Sequence, residues 1–275
     1  MRAECRVCPH RCKIEEGHTG LCKGRRNVKG EVICDNYGRL TGMALDPIEK
    51  KPLYHFYPGS RILSVGSYGC NLSCPFCQNS GISMAGRGEL ETAYYSCGEL
   101  VKKALALKDR GNIGIAYTYN EPLIGYEFVR DCAISARREG LKNVVVTNGY
   151  ILNEPLQELL PVIDAFNIDL KGFTEEYYHK LRGDLQTVKQ SIEAASGRCH
   201  VEVTTLIVPG ENDSEEEMEA LSSWLAGINP EVPLHISRFF PRWKYRDKEA
   251  TPVGKVYRLA EIARRKLKYV HEGNC

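Results

Sequence analysis

The chain has 275 residues, 43 % of them hydrophobic and 26 % charged, with a formal net charge of +2. That is room for one large domain, or one domain plus a small unit, with the composition of an ordinary globular protein. The near balance of charge gives no global drive toward nucleic acid or a membrane surface. No apolar run approaches the length of a membrane span. The start, Met1-Arg2-Ala3-Glu4-Cys5, lacks the apolar core of a signal peptide, which reads as a cytoplasmic protein. Twelve cysteines then need a reason. Without a secretion signal, a disulfide scaffold is a poor one, and ligation of a metal or an iron–sulfur cluster is a better one.

In chain order, residues 1–58 read as a Cys-rich metal-binding unit. Cys5, Cys8, Cys12 and Cys22 follow the pattern CxxCxxxCx(9)C, broken into turns by Pro9, Gly17, Gly20 and Gly24. Four thiolates in a segment poor in core residues suit a small metal-stapled knuckle, with zinc the first choice and an iron–sulfur cluster the second. His10 and His18 are substitute ligands or solvated loop residues. Val28 to Leu45 reads as short strands with turns at Lys29-Gly30 and Tyr37-Gly38. The connector from Asp46 to Gly59 is punctuated by prolines and rich in aromatics, and reads as a strap packed on the main domain.

Residues 59–275 read as the core. Strands are expected near Ile62–Val65, Ile113–Tyr117, Asn143–Thr147, Ala165–Leu170, His200–Val208 and Pro233–Ser237. Helices are expected near Cys97–Arg110, Ile124–Gly140, Glu154–Pro161, Leu185–Gly197, Glu215–Leu225 and Gly254–Lys268. The alternation predicts an α/β fold, a parallel sheet with helices outside, closing into a partial (β/α)6 TIM-like barrel. Ligands in such barrels bind at the C-terminal ends of the strands.

The first of those strand ends runs into Cys70-Asn71-Leu72-Ser73-Cys74-Pro75-Phe76-Cys77. Three thiolates at CxxxCxxC spacing can hold one corner each of an iron–sulfur cluster, leaving one iron open; the competing reading is a catalytic zinc with three ligands and water. The spacing, and Phe76 just before the last cysteine, resemble the radical S-adenosylmethionine (SAM) superfamily. The resemblance implies a [4Fe–4S] cluster on Cys70, Cys74 and Cys77 with SAM chelated to the open iron. It further implies an electron donor such as flavodoxin or ferredoxin, and reductive cleavage of SAM to a 5′-deoxyadenosyl radical that abstracts hydrogen from a substrate.

At the other strand ends the same resemblance, to the activating-enzyme-like group, implies cofactor-binding roles. Glu121, in Tyr117-Thr118-Tyr119-Asn120-Glu121-Pro122, stands where an acid meets the SAM ammonium, although Tyr119-Asn120 replaces two glycines; the plain alternative is a helix cap. Thr147-Asn148-Gly149 falls near the ribose. Asp169 and Lys171, in an Asp-Leu-Lys motif, fall near the SAM carboxylate or a cation, or form an ion pair holding the barrel. His235 matches a SAM-contacting histidine. Strand alternation puts His235 and Ser237 on one face, with Ile236 and Arg238 on the other. Asp213-Ser214 reads as a helix cap. At a finer level, Asp46 to Phe56, Cys74 to Asn79 and Arg238-Phe239-Phe240-Pro241 resemble the AmmeMemoRadiSam-system radical SAM proteins. Their substrate, protein or small molecule, is not readable from the motifs. Two further readings stay open: an activating enzyme that installs a glycyl radical on a partner protein, and an iron–sulfur or zinc scaffold or electron carrier without SAM turnover.

Overall fold

The computed structural model describes all residues from Met1 to Cys275. Its centre is one eight-stranded sheet. The strands are β1 (Gly42–Pro47), β2 (Arg61–Gly66), β3 (Asn112–Tyr117), β4 (Lys142–Thr147), β5 (Ala165–Asp169), β6 (His200–Ile207), β7 (Leu234–Arg238) and β8 (Val270–Gly273). They lie side by side in chain order. All neighbours run parallel except β1, which is antiparallel to β2. The main helices are α1 (Cys97–Leu105), α2 (Tyr126–Arg138), α3 (Asn153–Leu159), α4 (Glu175–Lys180), α5 (Leu185–Ser196), α6 (Glu215–Ile228) and α7 (Val253–Arg264). This is the partial barrel that the alternation of elements predicts, with the expected strands found within a residue or two.

Local chemistry starts the helices where they start. Ser96 and Glu99 form a capping box on α1, Asp184 accepts from the Thr187 amide on α5, and Ser214 accepts from the Glu217 amide on α6. The strands are apolar on both faces because helices cover one side and the lumen is filled on the other: Val144 and Val145 are both fully buried. One cluster of 53 buried residues joins sheet and helices. Gly114 marks the tightest strand contact, since a Cβ there would stand 1.9 Å from the Lys142 carbonyl oxygen on β4. Gly114→Ala should therefore lower stability by about 1–3 kcal/mol, the usual cost of overpacking, read as a lower denaturation midpoint.

Three features differ from the sequence reading. The N-terminal unit does not extend to residue 58: β1 pairs with β2 along its whole length, Gly42 with Gly66 through Pro47 with Arg61, so the main sheet begins at residue 42. The boundary is invisible in the sequence because β1 is short and ends at a proline. A seventh parallel strand, β8, follows α7; its four residues carry no alternation strong enough to read. Helix α4 was also not expected, being a capped six-residue piece between two loops.

The strap behaves as expected. Ile48, Leu53 and Phe56 pack on Ile62, Ala116, Val144 and Ala165 in a second core cluster. Its backbone is tied into the lumen: Asn167 donates to the Pro52 carbonyl at 2.8 Å, and the Tyr54 and His55 amides donate to Glu202 at 3.0 and 2.8 Å. Glu202 is fully buried and also bonds His200 at 2.9 Å and His235 at 2.6 Å.

Before β1, two hairpins stack: Arg2–Glu4 with Lys13–Glu15, and Arg25–Val28 with Glu31–Cys34. The second turns through Lys29 and Gly30, both at positive φ, the geometry that suits the twist of a two-residue hairpin. This unit is docked by a short ion pair, Arg25 to Glu127 of α2 at 2.6 Å, and by Asn36 donating to the Tyr68 carbonyl at 3.0 Å.

Candidate active site

The loop after β2 carries Cys70, Cys74 and Cys77, and its neighbours hold it rigidly. Asn120 is the staple: its amide donates to the carbonyls of Tyr68 and Gly69, both at 3.1 Å, and its carbonyl accepts from the Ser67 amide at 2.9 Å. Asn79 donates to the Tyr119 carbonyl at 2.8 Å. Tyr119 sits at φ +73° and turns its ring back into the barrel, where the hydroxyl donates to Asp46 at 2.7 Å and Lys51 lies 4.6 Å from the ring. Here Tyr119-Asn120 does with side chains what a glycine pair cannot: it ties the cysteine loop to the lumen. Burial alone would raise the Asp46 carboxyl, but the bonds from Lys51 and Tyr119 win and hold it at about 2.

Cys74 is buried, Cys70 and Cys77 are half-buried, and all three thiols are free. Cys70 is raised well above the ordinary thiol range, first by burial and then by the negative groups Glu121, Cys74 and Cys77. Cys74 is pushed up to about 12, again mainly by burial, with Lys171 pulling the other way. The thiols are thus close enough to feel one another, and three soft sulfur donors on one loop suit an iron–sulfur group. The Leu72 amide at 3.4 Å and the Asn148 amide at 3.7 Å both point donors at the Cys70 sulfur, the kind of outer contact that tunes such groups. The residues present therefore fit a cluster with one iron left open.

The other strand ends fall beside this loop. Glu121 is only 3 % exposed, and its carboxylate is already taken by three donors: the Leu123 amide at 3.0 Å, the Thr147 hydroxyl at 2.6 Å and the Asn148 amide at 2.8 Å. It caps the helical turn Pro122–Gly125. The geometry favours the cap and loop-holding role over direct contact with an ammonium. Burial pushes its pKa up to about 7 against those three bonds. Glu121→Gln should free the 147–149 loop, because an amide cannot accept from all three donors. Affinity for SAM, measured by equilibrium dialysis, should fall roughly 10–100-fold, as for other outer positions of a metal site.

Lys171 bonds Asp169 at 2.8 Å. Burial would lower the lysine, but Asp169 and Cys74 outweigh it and hold the ammonium charged. Their pairing is the ion-pair alternative of the sequence reading, placed at the mouth of the site beside Cys74. His235 shares a register row with Thr204 and, through it, Asp169. It packs edge-on against Tyr54 and stacks on His271. Arg238 lies on the other face, donating to the Thr251 carbonyl at 2.7 Å and resting on Phe240, as alternation requires. Sequence reasoning missed Glu202, Asn71 and Asn120. Glu202 is a charged residue inside an apolar strand and Asn71 a polar one between Cys70 and Leu72, which was the available signal; Asn120 stands among other polar residues and offers none.

Residues 64–222 match the Radical SAM superfamily. The chain is a radical SAM protein. Over 277 aligned residues it is 39 % identical to an uncharacterized protein of Methanocaldococcus jannaschii, covering 99 % of this chain and 81 % of that one. It is 26 % identical over 171 residues to pyruvate formate-lyase 1-activating enzyme of Escherichia coli (strain K12), covering 61 % of this chain and 69 % of that enzyme. Among solved structures, Streptococcus suis SuiB bound to S-adenosylmethionine superposes with a TM-score of 0.61 at 14 % identity, covering 78 % of this chain and 52 % of SuiB; that likeness bears on the fold. This radical SAM protein is an enzyme of the activating-enzyme-like kind, and the family implies a [4Fe–4S] cluster and SAM. No helix is long and apolar enough to cross a membrane.

Proposed function

We propose that this radical SAM enzyme binds a [4Fe–4S] cluster through Cys70, Cys74 and Cys77 and cleaves SAM reductively to abstract hydrogen from a substrate. The observation that carries this is the trio of free thiols on one loop set among polar strand ends. With both groups bound, cluster and SAM together supply one-electron cleavage of the sulfonium carbon–sulfur bond. The protein's own part is positional. Asn120 and Asn79 fix the cysteine loop. Lys171 offers its ammonium to the SAM carboxylate, and Asp169 its carboxylate to the amino group. Thr147 and Asn148, held by Glu121, frame the ribose. Glu202 occupies His235 Nε2, leaving Nδ1 as the ring atom available to a ligand. The strap fills the lumen behind these groups.

The test is anaerobic: load the protein with iron and sulfide, reduce it, add SAM, and quantify 5′-deoxyadenosine and methionine by mass spectrometry. Equal amounts of both products support the reading. A reducible cluster that binds SAM and leaves it intact would leave the electron-carrier reading standing. The activating enzymes of E. coli and Clostridium pasteurianum among the relatives favour a second reading, a glycyl radical installed on a partner protein. Its signature is a carbon-centred doublet in the paramagnetic resonance spectrum of that partner, formed only with SAM present.

A further inference from the structure

The first 22 residues bury three cysteines, with Cys12 half-buried, and very little else. Beyond Cys5, the local core is Val7 and Ile14, too small to hold a unit of this size by hydrophobic burial. No disulfide staples it, because every thiol is free. Instead Cys5, Cys8, Cys12 and Cys22 line one cavity, roofed by Ile14 and Ile124. The Cys5 amide donates to the Cys12 carbonyl at 2.9 Å, which closes the loop. Gly20 has no side chain where a Cβ would come within 3.4 Å of the Cys12 sulfur. Arg25 lines the same cavity, and its Nε is buried with no acceptor in the protein. A sulfide or thiolate in the cavity would supply one.

The donors surround a space rather than a point. A zinc ion draws four sulfurs to about 2.3 Å from one centre, whereas these four line a cavity. His10 does not complete a mixed site, since its Nε2 is bonded to the Asn71 carbonyl at 2.8 Å. With four cysteines every corner of a cluster is filled, so no iron is left for a substrate.

The place of this cavity gives it a use. His10, two residues after Cys8, meets the Asn71 carbonyl through Nε2 at 2.8 Å, and Asn71 follows Cys70 in the chain. Asn148 bridges the two, donating to Asn71 Oδ1 at 2.9 Å and to Cys70 Sγ at 3.7 Å. Gly69 sits at φ +89°, and a Cβ there would meet the Cys22 carbonyl at 2.3 Å. The two cysteine loops therefore touch backbone to backbone.

We propose that Cys5, Cys8, Cys12 and Cys22 hold a second [4Fe–4S] cluster, and that it relays single electrons to the cluster on Cys70, Cys74 and Cys77. This rests on the radical SAM reading of the second site. Each transfer oxidises a one-electron donor of the flavodoxin or ferredoxin class, reduces the relay from the 2+ to the 1+ core, and returns it to 2+ as the SAM-binding cluster is reduced. No proton or bond is exchanged.

The experiment loads the full chain with iron and sulfide and measures iron, sulfide and zinc. Wild type should hold about eight irons, and a Cys70→Ala/Cys74→Ala/Cys77→Ala variant about four, with a reducible cluster whose resonance spectrum ignores SAM. About four irons plus one zinc in wild type, or no iron in that triple variant, would overturn the proposal. The triple variant leaves the N-terminal unit intact, so a misfolded knuckle mutant cannot obscure the count. For the relay, Cys8→Ser/Cys12→Ser should slow flavodoxin-driven 5′-deoxyadenosine formation on the order of tenfold more than formation driven by titanium(III) citrate. Equal slowing with both reductants would sink the relay. Absence of SAM cleavage in wild type with titanium(III) citrate would instead sink the proposed function, and the iron count would stand apart from it.

Discussion

Cys74→Ala should reduce SAM cleavage by well over a hundredfold. Loss of an outer partner in a metal site already costs about 10–100-fold, and Cys74 is one of only three thiols in its site. It is also the most deeply buried of the trio, beside Lys171 and Cys77. Removing it leaves two sulfurs, too few to hold the proposed cluster, and takes away the thiol that neighbours the Lys171 ammonium. The measurement is 5′-deoxyadenosine by mass spectrometry together with iron bound at the site. The fold should survive, because β2 and the Asn120 staple do not pass through Cys74, and circular dichroism should overlay with wild type. Retained cleavage at a tenth of the wild-type rate or more would show that the thiols at 70, 74 and 77 are not the ligands.

Glu202→Ala should be the most damaging single change to stability away from that site, at about 3–5 kcal/mol, the cost of breaking a buried charged network by removing one partner. Four groups lose their acceptor at once: the Tyr54 and His55 amides and the rings of His200 and His235. The strap then keeps the bond from Asn167, the His55–His271 contact and its apolar residues, but loses its charged anchor in the lumen. Chemical denaturation should show the lower midpoint. Limited proteolysis should cut first between residues 48 and 57.

The same carboxylate gives a pH dependence. Burial would raise the Glu202 pKa, but the bonds from His200, His235 and the two strap amides hold it at about 2, below the ordinary 4.5. A depressed carboxylate stabilises the fold fully above its unfolded pKa. That contribution, of order 3 kcal/mol, should be lost as pH falls from about 4.5 toward 2. Glu202→Gln should flatten this part of the stability profile.

The relation between sequence and structure can be read at particular residues. CxxxCxxC after a strand marked the cysteine loop at the first strand end, because the spacing of thiols is a local property. The order of strands and helices was largely legible: most strands are short apolar runs, and four helices start at a capping side chain, Ser96, Thr174, Asp184 or Ser214. Face assignment on β7 followed from alternation alone, and His235 and Arg238 do lie on opposite faces.

What tertiary structure decided were the partners of polar groups. Glu121 reads equally well as a ligand or a cap until three donors are seen converging on it from Leu123, Thr147 and Asn148. Cys97 and Cys132 look unrelated in the sequence, yet α1 and α2 bring their sulfurs to 2.9 Å. The limit of the N-terminal unit was hidden because strand pairing is non-local: nothing in Gly42–Pro47 says that Arg61–Gly66 lies beside it. The contact of the two cysteine loops through Asn71 belongs to the same class. A sequence determines which groups can bind metal and where chains turn, because those depend on a few adjacent residues. Which buried donor meets which acceptor depends on how separate elements dock, and only the assembled barrel fixes that.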